Sequence, residues 1–100
     1  MARGKVLFFG DSRRLYADEP VIVAEKDSHI AVCDLTECGA YIASKLHAWG
    51  YALEKTPLEE ALSGLPDDAE VEAWNNGVAQ WFREAGIRTI GDLKRACGAP

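Results

Sequence analysis

Residues 6–12 read VLFFGDS, an apolar run that stops abruptly at Gly10, Asp11 and Ser12. A serine placed at the end of a strand can serve as a nucleophile, and the same three residues can also simply turn the chain. A second group with chemical potential follows: His29, Cys33, Cys38 and His47 form H-x3-C-x4-C-x8-H. Two sulfurs and two nitrogens are a donor set that zinc accepts, but the short paired spacing of zinc modules is missing. Cys38 sits where a helix should begin, and a helix dipole lowers a thiol pKa. Asp34 and Glu37 adjoin it, however, and negative charge favours the neutral thiol. Cys33 and Cys38 are therefore read as small hydrophobes in a core. No catalytic residue, metal or cofactor is expected.

The VLFFGDS stretch resembles the first block of the GDSL, or SGNH, hydrolases, an apolar strand followed by Gly-Asp-Ser. The resemblance implies Ser12 as nucleophile and its amide as an oxyanion-hole donor. It covers seven residues. That family's base is a histidine three residues after an aspartate, whereas here Lys26 precedes His29 and Ser44 precedes His47 at that distance. For its oxyanion asparagine only Asn75 and Asn76 are available, inside an apparent helix, and five parallel strands with their crossovers exceed 100 residues. A hydrolase fragment is kept as a remote alternative, and Gly-Asp-Ser is read as turn chemistry at a buried edge of the sheet. There, Gly supplies positive φ, and Asp and Ser bond back to the main chain.

A second resemblance lies in AGIRTIGDL, residues 85–93, which is similar to the turn and second helix of helix-hairpin-helix modules, including the one in the C-terminal domain of the RNA polymerase alpha subunit. It implies backbone amides and basic residues meeting phosphate. Arg13, Arg14, Arg83, Arg88, Lys94 and Arg95 could supply the charge, but a pI near 4.9 is far from that of such proteins. Gly-rich phosphate loops of the G-x-G-x-x-G and G-x4-G-K-[ST] types do not occur.

The charges are unevenly placed. The chain of 100 residues carries a formal charge of −5. Residues 54–82 hold seven acids against Lys55, a local balance of −6. Such a block repels nucleic acid and attracts basic partners. Three cysteines without regular spacing, and an N-terminal apolar stretch too short for a secretory leader, point to the cytoplasm. No run reaches the roughly 18 apolar residues of a membrane span.

These residues must be held by local structure, and the expected fold class is α+β in one domain over residues 1–100. A strand-rich antiparallel meander is expected over 1–33, with strands at 5–9, a weak one at 14–17, 21–25 and 29–33. Pro20 would sit at a strand start, and EKDS would link the last two strands as a hairpin. Three to four helices are expected over 34–100. In the first, Leu35, Cys38, Ile42, Leu46 and Trp49 form a stripe closed by Gly50. YALEK, 51–55, reads either as a short strand or as an extended connection. Thr56, Pro57 and Glu59 read as N-cap, first helical residue and capping-box acid. From Asp67 to Ala85 the stripe Val71, Trp74, Val78, Trp81, Phe82, Ala85 predicts one helix through Gly77, with a hairpin turn at Asn76–Gly77 as the competing reading. Thr89 and Asp92 open a last helix.

With no catalytic set, nucleotide loop or metal spacing assembled, the remaining class is binding. Glu59, Glu60, Asp67, Asp68, Glu70 and Glu72 are the candidate partner surface, an anionic row able to pair with arginines as phosphates do. Ordinary capping and solvation of two helix starts is the plainer account of the same acids. Trp49 and Tyr51 are candidate aromatic anchors, while Trp74 and Trp81 read as core. The expected partner is a larger protein with a basic surface, and the profile is that of small phage-encoded anti-defence inhibitors of the anti-CRISPR type. A nucleic-acid-binding module using the basic C-terminal helix is the alternative, and a homodimer through a strand edge is a further option.

Overall fold

The computed structural model describes residues 5–74 and 76–98. Its elements run β1 (Val6–Phe9), β2 (Pro20–Lys26), β3 (His29–Cys33), α1 (Glu37–Ala48), β4 (Ala52–Pro57), α2 (Leu58–Ser63), β5 (Val71–Ala73), α3 (Asn76–Ala85) and α4 (Ile90–Gly98). The class is α+β, built on one five-stranded sheet of order β4-β2-β3-β1-β5. The expected antiparallel meander is corrected in two respects. The sheet is mixed, since β1 pairs in parallel with both β3 and β5. β2 alone runs against its neighbours β3 and β4.

Strict period-two alternation divides the sheet into two packed faces. Val6, Phe8, Val21 and Val32 face one way, into a core completed by Leu58, Leu62, Val78, Phe82, Ile90 and Leu93 from the other three helices. Leu7, Phe9, Ile22, Ala24, Ala31 and Cys33 face α1. Three of these residues are small, so α1 lies on them through Ala43 and Leu46. The expected α1 stripe holds at Ile42 and Leu46 and fails at its ends: Leu35 is exposed, and Trp49 is 65% exposed as the C-cap residue. Gly50 follows with φ 99°, as a helix-closing glycine should.

The β2–β3 hairpin forms as expected, turning on Asp27 (φ 50°) and Ser28 (φ 73°), the pair of positive angles of a type I′ turn. Pro20 does open its strand. Residues 14–17 are not a strand. β1 is interior, between β3 and β5, so VLFF is not a sheet edge. YALEK enters strand β4, which continues through Pro57. The expected capping box is therefore absent. Pro57 is the N-cap residue of α2, and Thr56 Oγ1 donates instead to Glu60 Oε2 at 3.0 Å.

The single helix expected over 67–85 is also corrected. Val71 and Ala73 belong to β5, and the helix begins only at Asn76, so neither the unbroken helix nor the hairpin turn forms. Trp74 is consequently 54% exposed rather than core, leaning on Phe9 with ring centroids 6.2 Å apart. Trp81 does pack, against Phe82. At α4 the sequence reading holds: Asp92 N–H donates to Thr89 Oγ1, and Thr89 N–H donates to Asp92 Oδ2, both at 3.2 Å.

Candidate functional site

Because β1, β3 and β5 are parallel, their carboxyl ends meet at one end of the sheet, bringing together Gly-Asp-Ser, the Asp34–Thr36 turn and the start of α3. Asp34 is the centre of this junction and is 2% exposed. Its Oδ2 accepts from Ser12 N–H at 2.9 Å, and its Oδ1 accepts from Thr36 N–H at 3.1 Å and from the Thr36 hydroxyl. Thr36 Oγ1 in turn accepts from Asp11 N–H and Gly39 N–H, capping α1. A Cβ at Gly39 would lie 2.2 Å from the Asp34 carbonyl oxygen, and one at Gly77 would lie 2.4 Å from that of Asp11. Three loops thus close on one another at backbone distance.

Gly10 has the expected positive φ, 146°. The expected hydrogen bonds run differently, since the amides of Asp11 and Ser12 donate to side chains of another loop. The Ser12 hydroxyl has no hydrogen-bond partner among the described residues. His29 opens β3 and His47 lies in the last turn of α1, which puts both at the opposite end of the sheet from Ser12. Asn75 lies outside the described residues. A cleft of about 570 Å³ beside the junction mixes Asp11 and Glu84 with Arg13, Gln80 and Trp81, and Gln80 already donates to Glu84 at 3.0 Å.

The cysteine and histidine set is likewise dispersed. Among the described residues no cluster of His, Cys, Asp or Glu is arranged to hold a metal. Cys33 is buried, and burial first, then Asp34 and Cys38, pushes its thiol up to about 12. Burial also raises the Cys38 thiol, followed by Asp11 and Asp34, so the helix start does not activate it.

Two of the candidate acids pair with lysines, Asp67 with Lys94 and Glu72 with Lys5. Glu59 and Glu60 occupy the first turn of α2. Glu59 lines a groove with Lys94, and Lys94 Nζ donates to Asp67 Oδ1 at 2.7 Å. Asp68 is exposed next to Asp67. Glu72 projects from the face of β5 opposite Val71 and pairs with Lys5 Nζ at 3.0 Å. Glu70 shares the field of Lys5, whose pKa is raised first by the hydrogen bond to Glu72. Among the described residues Glu59, Glu60, Asp68 and Glu70 have no ion pair.

The basic side chains are more heavily engaged. Arg14 donates to the Ala96 carbonyl at 2.9 Å and lies over the Tyr16 ring. Arg95 pairs with Asp92 at 2.6 Å, and Lys94 is held by Asp67. The amides of the helix-hairpin-helix-like stretch are engaged as well. Ile87 N–H donates to Phe82 O, Ile90 N–H to Ala69 O and Gly91 N–H to Asp67 O. Arg88 and Thr89 amides both donate to Asp92 Oδ2.

Of the two candidate anchors, Trp49 is exposed, and its carbonyl accepts from Lys26 Nζ at 2.6 Å. Tyr51 is half-buried against the α1-side core. Exposed Trp74 and Tyr41 were missed as surface aromatics. Tyr41 lies one residue off the apolar stripe, a signal that was legible. Comparison with family models, curated proteins and solved structures returns no match. Among the described residues no helix is long and apolar enough to cross a membrane.

Proposed function

We propose that this chain is a non-enzymatic cytoplasmic binding protein that docks an acidic patch of α2 and the following turn onto a basic surface of a larger protein, inhibiting or adapting it. The observation that carries the reading is the surplus of charge at that patch. Glu59, Glu60, Asp67 and Asp68 stand at the surface, and among the described residues only Asp67 of the four has an ion pair, with Lys94. Exposed carboxylates of one sign steer and orient a basic partner. Their arrangement on short helical and turn segments suits arginine, which grips carboxylates as it grips phosphates. A nucleic-acid-binding protein is the partner class that such a patch would mimic a ligand for, as anti-CRISPR-type inhibitors do.

Direct binding of nucleic acid has weaker support, because the amides and several of the basic groups it would use are already bonded internally. Hydrolase chemistry has weaker support still, with Ser12 and both histidines at opposite ends of the sheet. The test is capture from lysate by the wild type and by a Glu59→Gln, Glu60→Gln, Asp68→Asn variant that keeps the Asp67–Lys94 pair. Loss of a specific captured protein in the variant is expected, and unchanged recovery would sink the acidic-patch reading.

A further inference from the structure

The two edges of the sheet are finished differently. At β5 the connection between α3 and α4 closes the edge: Val71 N–H donates to Arg88 O at 3.0 Å, and Glu70 bridges Thr89. At β4, twice as long, Ala52, Leu53, Glu54 and Lys55 are all exposed, and among the described residues β2 is the only strand alongside. Leu58 N–H donates to Glu19 O at 2.9 Å in the same ladder. The alternation of an antiparallel pair then turns the N–H and C=O groups of Thr56, Glu54 and Ala52 toward β2, and those of Lys55 and Leu53 outward. An open edge of this kind is a template for another strand.

We infer that β4 pairs with β4 of a second copy of this chain, antiparallel, about a two-fold axis at Leu53. The occupant follows from charge and register. Directly opposed residues in an antiparallel pair share a face, so a symmetric pairing must be centred on a residue. Centring on Glu54 or Lys55 sets like charges against each other. Centring on Thr56 puts Pro57, which has no N–H, opposite Lys55, and centring on Ala52 puts Tyr51, whose N–H already donates to Leu46 O, opposite Leu53. Centring on Leu53 sets Leu53 against itself, Lys55 against Tyr51 and Glu54 against Ala52, with no like charges directly opposed. The outward N–H groups of Leu53 and Lys55 then meet the carbonyls of Leu53 and Tyr51 of the second copy. Leu53, 38% exposed, supplies apolar area beside the new ladder. Lys55, on the α1 face with Leu53, comes beside the Tyr51 ring, where a cation is favoured. This pairing uses a different surface from the acidic patch, so it stands or falls independently of the proposed docking.

The experiment is sedimentation equilibrium of the purified chain over a wide concentration range, with far-UV circular dichroism as the check on folding. Wild type is expected to reach twice 10.9 kDa. Leu53→Pro removes an outward N–H and leaves the β2 ladder intact, so a folded variant that stays at 10.9 kDa throughout is expected. Should that variant fail to fold, Leu53→Lys sets two ammonium groups at the axis and is expected to abolish the dimer in the same way. A wild type that remains at the single mass, or folded variants that associate as wild type does, would overturn the inference.

Discussion

At the carboxyl ends of β1 and β3, a buried carboxylate, the Thr36 hydroxyl that caps α1 and three glycines close on one another. Along α2 and the turn after it, four carboxylates stand at the surface, and among the described residues one of them, Asp67, has an ion pair. Both regions are polar, but the first spends its hydrogen bonds internally and the second leaves its charge for solvent or a partner. Within the junction, among the described residues, no buried side-chain nitrogen or oxygen lacks a partner. A polar constellation that satisfies itself is a structural device. A one-signed group without enough counter-charge is where an outside cation gains.

The sharpest way to break the contrast is to remove the carboxylate at the centre of the junction. Asp34→Ala orphans the amides of Ser12 and Thr36 in a buried setting, and a loss of about 3 kcal/mol in chemical denaturation is expected. Gly39→Ala should follow at about 2 kcal/mol, because its Cβ meets main chain that cannot rotate away. At the α4 start, Thr89→Ala should cost about 1 kcal/mol through loss of the cap.

The Asp92 carboxyl is held below its ordinary value, chiefly by the Arg88 amide. It therefore stabilises the fold above the ordinary value of 3.8 and loses that contribution as pH falls through its lowered folded value. The stability difference between wild type and Asp92→Asn is accordingly expected to be full at neutral pH and to shrink in strong acid. Smallest are the changes that sharpen the comparison. Ser12→Ala in the junction and Glu59→Ala or Asp68→Ala in the patch should each stay within about 0.5 kcal/mol of wild type.

How much of this was legible in the sequence depends on the range of the interactions. The β2–β3 hairpin and the start of α4 were readable because a turn and a capping box are local. The parallel pairing of β1 was not, since its partners in β3 and β5 lie 24 and 65 residues away. The α1 stripe was legible at Ile42 and Leu46 but not at Ala43, which carries little hydrophobic weight yet packs in the same cluster as Ala24 and Ala31. Residues 67–85 read as one helix because a three-residue strand adds only Val71 and Ala73, and Val71 happens to keep helical spacing with Trp74 and Val78. Of the candidate site, the excess of acids was plain in composition. The pairing of Asp67 with Lys94 and of Glu72 with Lys5 depends on contacts 27 and 67 residues apart.

The docking account is tested most directly by measuring the affinity of the captured protein for wild type and for the Glu59→Gln, Glu60→Gln, Asp68→Asn variant at several salt concentrations. The account predicts that wild-type affinity falls as salt rises, and that the variant binds more weakly at low salt and responds less to salt. Equal affinities with equal salt dependence would contradict it.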